Sequence, residues 1–195
     1  SYFDEKYKKK SSFNINVEKM IPIGYGLGGG SSNAASILKF LYSYYKINPN
    51  NFWIDAPNIG SDVLLFIDQN PKMIDGIKSI KKIKPSKPRW KKIFLIIPNQ
   101  KNLTKDIFLN FKKKQFPRTN IKTKNDLTYS SIALNPEFTR IYDFLSSFRH
   151  NFKIFDMSGS GSSIFVSFKS AYVEKSIIHN IHEKFPLLRI EKSYY

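Results

Sequence analysis

Pro22-Ile-Gly-Tyr-Gly-Leu-Gly-Gly-Gly-Ser-Ser-Asn-Ala-Ala35 carries five glycines in the seven positions from Gly24 to Gly30. Residues without Cβ lose the most backbone entropy on folding, so such a run needs a reason, and they let backbone N–H groups approach a ligand closely. Directly afterwards Ala34, Ala35, Ile37, Leu38, Leu41, Tyr44 and Tyr45 recur at three- and four-residue spacing. That spacing predicts a helix from Ser31 to about Lys46, with Ser31 or Ser32 placed to cap it. A helix that starts straight out of a glycine loop adds its unpaired N–H groups and the positive end of its dipole. Loop and helix start together make an anion site, and phosphate is its natural occupant.

Three phosphate-binding patterns compete for this loop. A Walker A loop needs Gly-x4-Gly-Lys-Ser/Thr, and no lysine follows these glycines. Gly24-x-Gly26-x-x-Gly29 meets the dinucleotide fingerprint, but the acidic residue expected about 20 positions on is missing. The stretch Ser43 to Asn50 holds neither Asp nor Glu. The same glycine spacing opens a protein-kinase loop, yet the chain contains no His-Arg-Asp and no Asp-Phe-Gly. Upstream, Phe13, Ile15 and Val17 alternate with Asn14, Asn16 and Glu18, which predicts a half-buried strand leading into the loop.

Downstream, Asp62 opens the apolar run Val63 to Ile67 just after Gly60 and Ser61, and the stretch to about Ile83 reads as short strands and turns. Lysines with Pro85 and Pro88 predict a domain boundary near residue 84. Ile93 to Ile97 is a compact buried-strand candidate closed by Pro98. Helices are predicted at Thr104 to Lys112, Pro136 to Phe148 and about Ala171 to Phe185. A second glycine-rich turn, Ser158 to Gly161, precedes a strand at Ile164 to Phe168, and a short strand at Leu188 to Ile190 follows the last helix. Strands and helices mix irregularly, which predicts an α+β fold. His150, His179 and His182 are scattered and read as surface residues.

The 195 residues allow one large domain or two small ones. Hydrophobic residues at 41% and aromatics at 15% exclude a chain that stays disordered for want of a core. Cysteine is absent, so disulfides, thiolate metal sites and thiol nucleophiles are excluded, and a reducing, cytoplasmic setting is expected. No run of about 18 apolar residues is present to span a membrane, and Ser1 to Lys10 lack the apolar core of a signal peptide. The 32 Lys and Arg against 15 Asp and Glu give a net charge of +17. That balance fits either an anionic partner or a surface biased toward lysine at large. A basic nucleic-acid-binding module is therefore an alternative. It lacks an RNP-type aromatic motif, and Gly26-x-x-Gly29 is only a faint echo of a KH clamp, so nucleic acid is disfavoured.

The stretch Pro22 to Ala35 resembles the ATP-binding motif of the GHMP kinases, the superfamily of galactokinase, homoserine kinase, mevalonate kinase and phosphomevalonate kinase. Gly60-Ser-Asp-Val-Leu-Leu-Phe66 resembles the segment that supplies the catalytic aspartate in one branch, and Met157-Ser-Gly-Ser-Gly-Ser162 resembles the superfamily's third motif. Asn125-Asp126-Leu127, with Thr104 after the Pro98 strand, is most similar to the branch acting on 4-diphosphocytidyl-2-C-methyl-D-erythritol in non-mevalonate isoprenoid (terpenoid) biosynthesis. The resemblance runs from about Phe13 to near the end of the chain.

It implies a two-domain fold: an ATP-binding domain like the second domain of ribosomal protein S5 over residues 1–84, incomplete here, and a ferredoxin-like domain over 85–195. It implies a kinase moving the γ-phosphate of ATP, with Mg²⁺, to the 2-hydroxyl of that small-molecule alcohol; a homoserine or mevalonate type is the alternative within the superfamily, and a homodimer is left open. Pro22, Ile23, Gly24, Tyr25, Gly26, Leu27, Gly28, Gly29, Gly30, Ser31 and Ser32 would cradle the nucleotide, with Ser31 a candidate Mg²⁺ ligand or helix cap. Asp62 would be the general base, or else cap the Gly60-Ser61 turn. Ser158, Gly159, Ser160 and Gly161 would close the phosphate site, or form a plain tight turn, and Thr104 would touch substrate or cap a helix. Leu64 stands where the family usually has Pro and Tyr25 where a small residue is usual. The family's opening strand, with a catalytic Lys followed closely by Asn, and its Asp-Gly-Tyr-His segment have no counterpart in this sequence, so these 195 residues alone are expected to turn over little substrate.

Overall fold

The structure, a computed structural model, describes residues 2–9, 13–68, 70, 72–75, 79–82, 92–113 and 123–194. The boundary expected near residue 84 lies outside them, as do Lys10, Lys84, Pro85, Pro88 and Lys114. The chain divides into two compact units, one of Ser1–Ile23 with Gly28–Ser86, the other of Gly24–Leu27 with Lys87–Tyr195. Strands and helices mix irregularly, which makes the chain α+β. No helix among the described residues is long and apolar enough to cross a membrane.

The first unit is built on α2 (Gly29–Tyr44), packed with α1 (Tyr2–Tyr7), α3 (Phe52–Ile59) and a 3-10 turn at Val63–Phe66. Ala35, Leu38 and Tyr42 fall at three- and four-residue steps on one face of α2, where they are buried with Phe3, Ala56, Val63 and Leu64. A polar centre sits in this core. The fully buried Asp55 accepts hydrogen bonds from Lys6, Tyr2, Tyr7 and Tyr42, which fastens α1 to α2 and α3. Burial alone would keep the Asp55 carboxyl neutral; the bonds from Lys6 and the tyrosines outweigh it and hold its pKa below the ordinary 3.8. An antiparallel hairpin of β1 (Lys72–Asp75) and β2 (Ser79–Lys82) follows.

Two expectations fail in this unit. Residues 13–19 form no strand, although the apolar alternation is present. A strand needs a neighbour to bond, and no described segment pairs with this stretch, so Ile15 and Val17 stay nearly half exposed. Phe13 packs edge-on against Phe40 and Tyr44 instead. Helix α2 begins at Gly29, two residues early, and its N-cap is Gly28 in the left-handed region (φ 65°, ψ 18°) with no side-chain cap. Ser31 and Ser32 therefore lie inside the first turn. As expected, the stretch from Val63 to Lys82 holds a turn and short strands, the 3-10 turn and then β1 and β2, whereas α1 and α3 occupy stretches for which the sequence predicts no helix.

The second unit is a four-stranded antiparallel sheet in the order β4-β5-β3-β6: β3 (Lys92–Ile97), β4 (Phe152–Met157), β5 (Ile164–Phe168) and β6 (Arg189–Tyr194). Three helices separate β3 from β4, namely α4 (Thr104–Lys113), α5 (Leu127–Leu134) and α6 (Pro136–Ser146), and α7 (Ala171–Lys184) lies between β5 and β6. Alternate strand residues Phe94, Ile96, Phe155, Met157, Ile164, Val166 and Phe168 are buried with Phe138, Ile141, Tyr142 and Leu145 of α6 and Ile177 and Ile181 of α7. Asn135 caps α6 by accepting from the Phe138 N–H, and Ser170 caps α7 through the Val173 N–H. His179 and His182 are exposed on α7 and His150 is exposed too, as expected.

Candidate active site

Left-handed backbone at Gly24, Gly26 and Gly28 (φ 92°, 73° and 65°) folds the first glycine run into a tight loop. Its middle, Gly24–Leu27, belongs to the second unit and docks there on the second glycine turn. The Ser158 hydroxyl donates to the Gly26 carbonyl at 2.9 Å, and the Ser163 N–H donates to the Tyr25 carbonyl at 3.3 Å. A Cβ on Gly26 would fall on the Ser158 carbonyl and within 2.8 Å of the Gly161 nitrogen, so only glycine permits this approach. The Tyr25 hydroxyl donates to the Asn99 carbonyl at 2.7 Å, which gives this large side chain a fixed place beside the loop.

Asn102 and Asn135, which carry no motif in the sequence, hold the second turn together with Asn125 and Thr104 of the quoted motif. Asn102, nearly fully buried, donates to the Ser160 carbonyl at 2.8 Å and to the Ser131 hydroxyl, and its own oxygen accepts from Asn135 at 2.9 Å. Asn125 donates to the Met157 and Gly159 carbonyls at 2.9 and 2.8 Å while its oxygen accepts from the Leu127 N–H. Each carboxamide bonds backbone carbonyls that the turn itself leaves unpaired. Thr104, the first residue of α4, reaches Ser160 side chain to side chain at 3.0 Å. The signal available beforehand for Asn102 and Asn135 was only an amide side chain between apolar runs, which is common and weak.

The exit of the loop lies in the first unit. There Gly28 is pressed against the Phe66 ring, which a Cβ would meet at 2.5 Å, so the turn carrying Asp62 at its N-cap packs directly on the start of α2. Asp62 is exposed and accepts from the Ser61 hydroxyl at 3.2 Å. Gly29 and Gly30 have nothing within 4 Å of where a Cβ would stand, which leaves the first turn of α2 open to an incoming group. The Lys19 ammonium reaches the Gly29 carbonyl at 3.3 Å, and Asn33, oriented with its amide nitrogen toward that carbonyl, accepts from Lys19 at 2.7 Å. Lys19 thus places a cation at the positive end of a helix, an arrangement that a bound anion would relieve. Among the described residues no three His, Asp or Glu side chains gather as a metal site. Mg²⁺ does not need one, because it takes few protein ligands beside phosphate oxygens and water; the open helix start, with Ser31 and Ser32 half-buried in its first turn, fits a metal carried in on a nucleotide.

Comparison with known proteins bears on the same stretches. The family description "GHMP kinases N terminal domain" matches residues 1–63, which include the glycine loop and Asp62. A "4-diphosphocytidyl-2-C-methyl-D-erythritol kinase" of Clostridium botulinum is 30% identical over 95% of this chain and 72% of its own length. The chain belongs to the GHMP kinase family. Another relative of that name, from Wigglesworthia glossinidia brevipalpis, is 33% identical over 87% of this chain, and the match spans only 57% of the relative. A "Crystal structure of 4-(cytidine 5'-diphospho)-2C-methyl-D-erythritol kinase" superposes with a TM-score of 0.66 at 21% identity, covering 90% of this chain and 68% of that one, and supports the fold. Within the GHMP family assignment, the Pro22 to Ala35 motif is the loop described above.

Proposed function

We propose that this chain is the larger part of an ATP-dependent kinase that phosphorylates the 2-hydroxyl of 4-diphosphocytidyl-2-C-methyl-D-erythritol. The observation that carries the reading is the glycine loop itself, clamped at Gly26 by the Ser158–Gly161 turn and left open at Gly29 and Gly30 over a helix start. Phosphoryl transfer is chiefly positioning and charge stabilisation, and a rigid cradle of backbone N–H groups supplies both. Pro22 to Ser32 would hold the nucleotide phosphates, with Lys19 adding charge. Mg²⁺, when bound, would neutralise the phosphate oxygens, with Ser31 its nearest protein candidate. Asp62 would accept the proton of the attacking hydroxyl as its oxygen bonds the γ-phosphorus and ADP leaves. Thr104 and Ser158 to Gly161 would contact the substrate. The β-α-β-β-α-β succession of the second unit supports a ferredoxin-like domain, and the match of residues 1–63 supports an S5-like first domain.

The test is ADP release by the protein that contains this chain, measured across the cytidyl alcohol, homoserine and mevalonate. The cytidyl substrate is expected to be preferred, and Asp62→Asn to lower kcat by about 10²- to 10⁴-fold with ATP affinity kept. Equal turnover of homoserine would defeat the substrate assignment. Steeply salt-dependent RNA binding without ATP affinity would defeat the kinase reading.

A further inference from the structure

Strand β4 forms one edge of the sheet in the second unit, and a cavity of about 350 Å³ opens along it, a size typical of small-molecule sites. Lys124, Arg149 and Lys153 stand around it, and none of the three makes an ion pair among the described residues. Arg149 follows α6 in a 3-10 turn that enters β4, and its guanidinium lies 5.3 Å from the centre of the Phe155 ring. An aromatic face holds that planar cation in place while leaving its N–H groups free to point outward. Phe155 and Phe165 supply apolar wall.

Asp156 is the one carboxylate lining the cavity among the described residues, and it is already engaged. It is 5% exposed and accepts from the Thr123 hydroxyl at 2.6 Å, the Lys124 N–H at 2.8 Å and the Met157 N–H at 2.9 Å. Three cations against one carboxylate leave two positive charges at the cavity. The fully buried Tyr142 hydroxyl lies close to Thr123 and Arg149.

We propose that this cavity is a second ligand site, for a small organic monophosphate with a flat apolar body. The phosphate carries about −1.5 to −2 charges near neutral pH, which matches the excess charge of the cavity. Its oxygens accept from Arg149 and the two lysines, and its body lies against the half-buried Phe165. The site lies apart from residues 24–32, shares Asn125 and Met157 with the support of the second glycine turn, and does not depend on the kinase reading.

Phenyl phosphate, inorganic phosphate and phenol are the probes, titrated into the full chain with backbone amide shifts followed by NMR. Phenyl phosphate is expected to move residues 124–125 and 152–157, to leave residues 24–32 in place, and to bind about tenfold tighter than inorganic phosphate. Arg149→Gln is expected to weaken phenyl phosphate about tenfold with ATP binding unchanged, and the exposed Lys153→Gln, which leaves the fold alone, is expected to act in the same direction. Shifts confined to residues 24–32, equal binding of phosphate and phenyl phosphate, or unchanged affinity in Lys153→Gln would overturn the proposal. Tighter binding of single-stranded RNA than of phenyl phosphate on the same amides would overturn it as well.

Discussion

A Cβ built on Gly26 collides with the Ser158–Gly161 turn, whereas one built on Gly29 or Gly30 meets nothing within 4 Å. These glycines are neighbours in one loop, yet the absence of a side chain serves a different purpose in each. At Gly26 it admits another piece of backbone and fixes the loop. At Gly29 and Gly30 it keeps the helix start clear, where unpaired N–H groups can reach an anion.

The contrast can be broken at three points. Gly26→Ala carries the largest expected effect, a loss on the order of 4 kcal/mol in the unfolding of the second unit, because a left-handed φ and a backbone clash coincide there. Denaturant melts followed by near-ultraviolet circular dichroism measure it. Ser158→Ala removes one hydrogen bond to Gly26 and is expected to lower stability by about 1 kcal/mol, with ATP affinity falling alongside because the loop loosens. Gly29→Ala is expected to do the reverse on stability, raising it by up to about 1 kcal/mol as alanine replaces glycine in a helix, while calorimetric ATP affinity drops. A Gly29→Ala protein that binds ATP as well as the parent would remove the open helix start from the site.

The smallest effect on the loop is expected from pH, which acts at the far end of α2. Asp55 has its pKa held below 3.8, so its stabilising charge is fully present above that value and is lost as pH falls through the depressed folded one. Lys6 is shifted up chiefly by its bond to Asp55, and Tyr42 is pushed up by burial and the same carboxylate. Their contributions are full below 10.5 and 10.0 and fade as pH rises through the raised folded values. Thermal melts should therefore show a plateau between about pH 4 and pH 10 with losses on both sides. Asp55→Asn should lower the plateau by about 3 kcal/mol and leave ATP affinity within the plateau unaltered.

The loop, α2, β3, β5, α6 and α7 were legible in the sequence because one physical signal dominates each. Apolar spacing of three and four reveals α2 and α6, and a compact apolar run closed by Pro98 reveals β3. Helix α5 escaped notice because its buried face is Thr128, Ser130 and Ser131, so no apolar period exists to be read. Strand β4 was hidden by Lys153 and by a register shift between Phe152 and Ile154 that breaks the alternation. Residues 13–17 show the opposite failure, since the pattern is there and no described neighbour accepts it. In the site, the glycine motifs could be read directly. Lys19 and Asn102 could not, because each takes its place only through contacts made on folding, Lys19 with Gly29 and Asn102 with Ser131 and Ser160.

The stretch from residue 13 to residue 23 has a consequence for how copies of this chain behave in solution. Ile15, Val17, Met20, Ile21 and Ile23 are 44% to 73% exposed along a backbone that no described strand covers, and clustered exposed apolar side chains favour self-association. The net charge of +17 then acts as a colloidal brake, keeping copies apart by mutual repulsion. Raising ionic strength shortens the reach of that repulsion, so light scattering should grow with salt, and a charge that first suggested an anionic partner also works as a gatekeeper against aggregation.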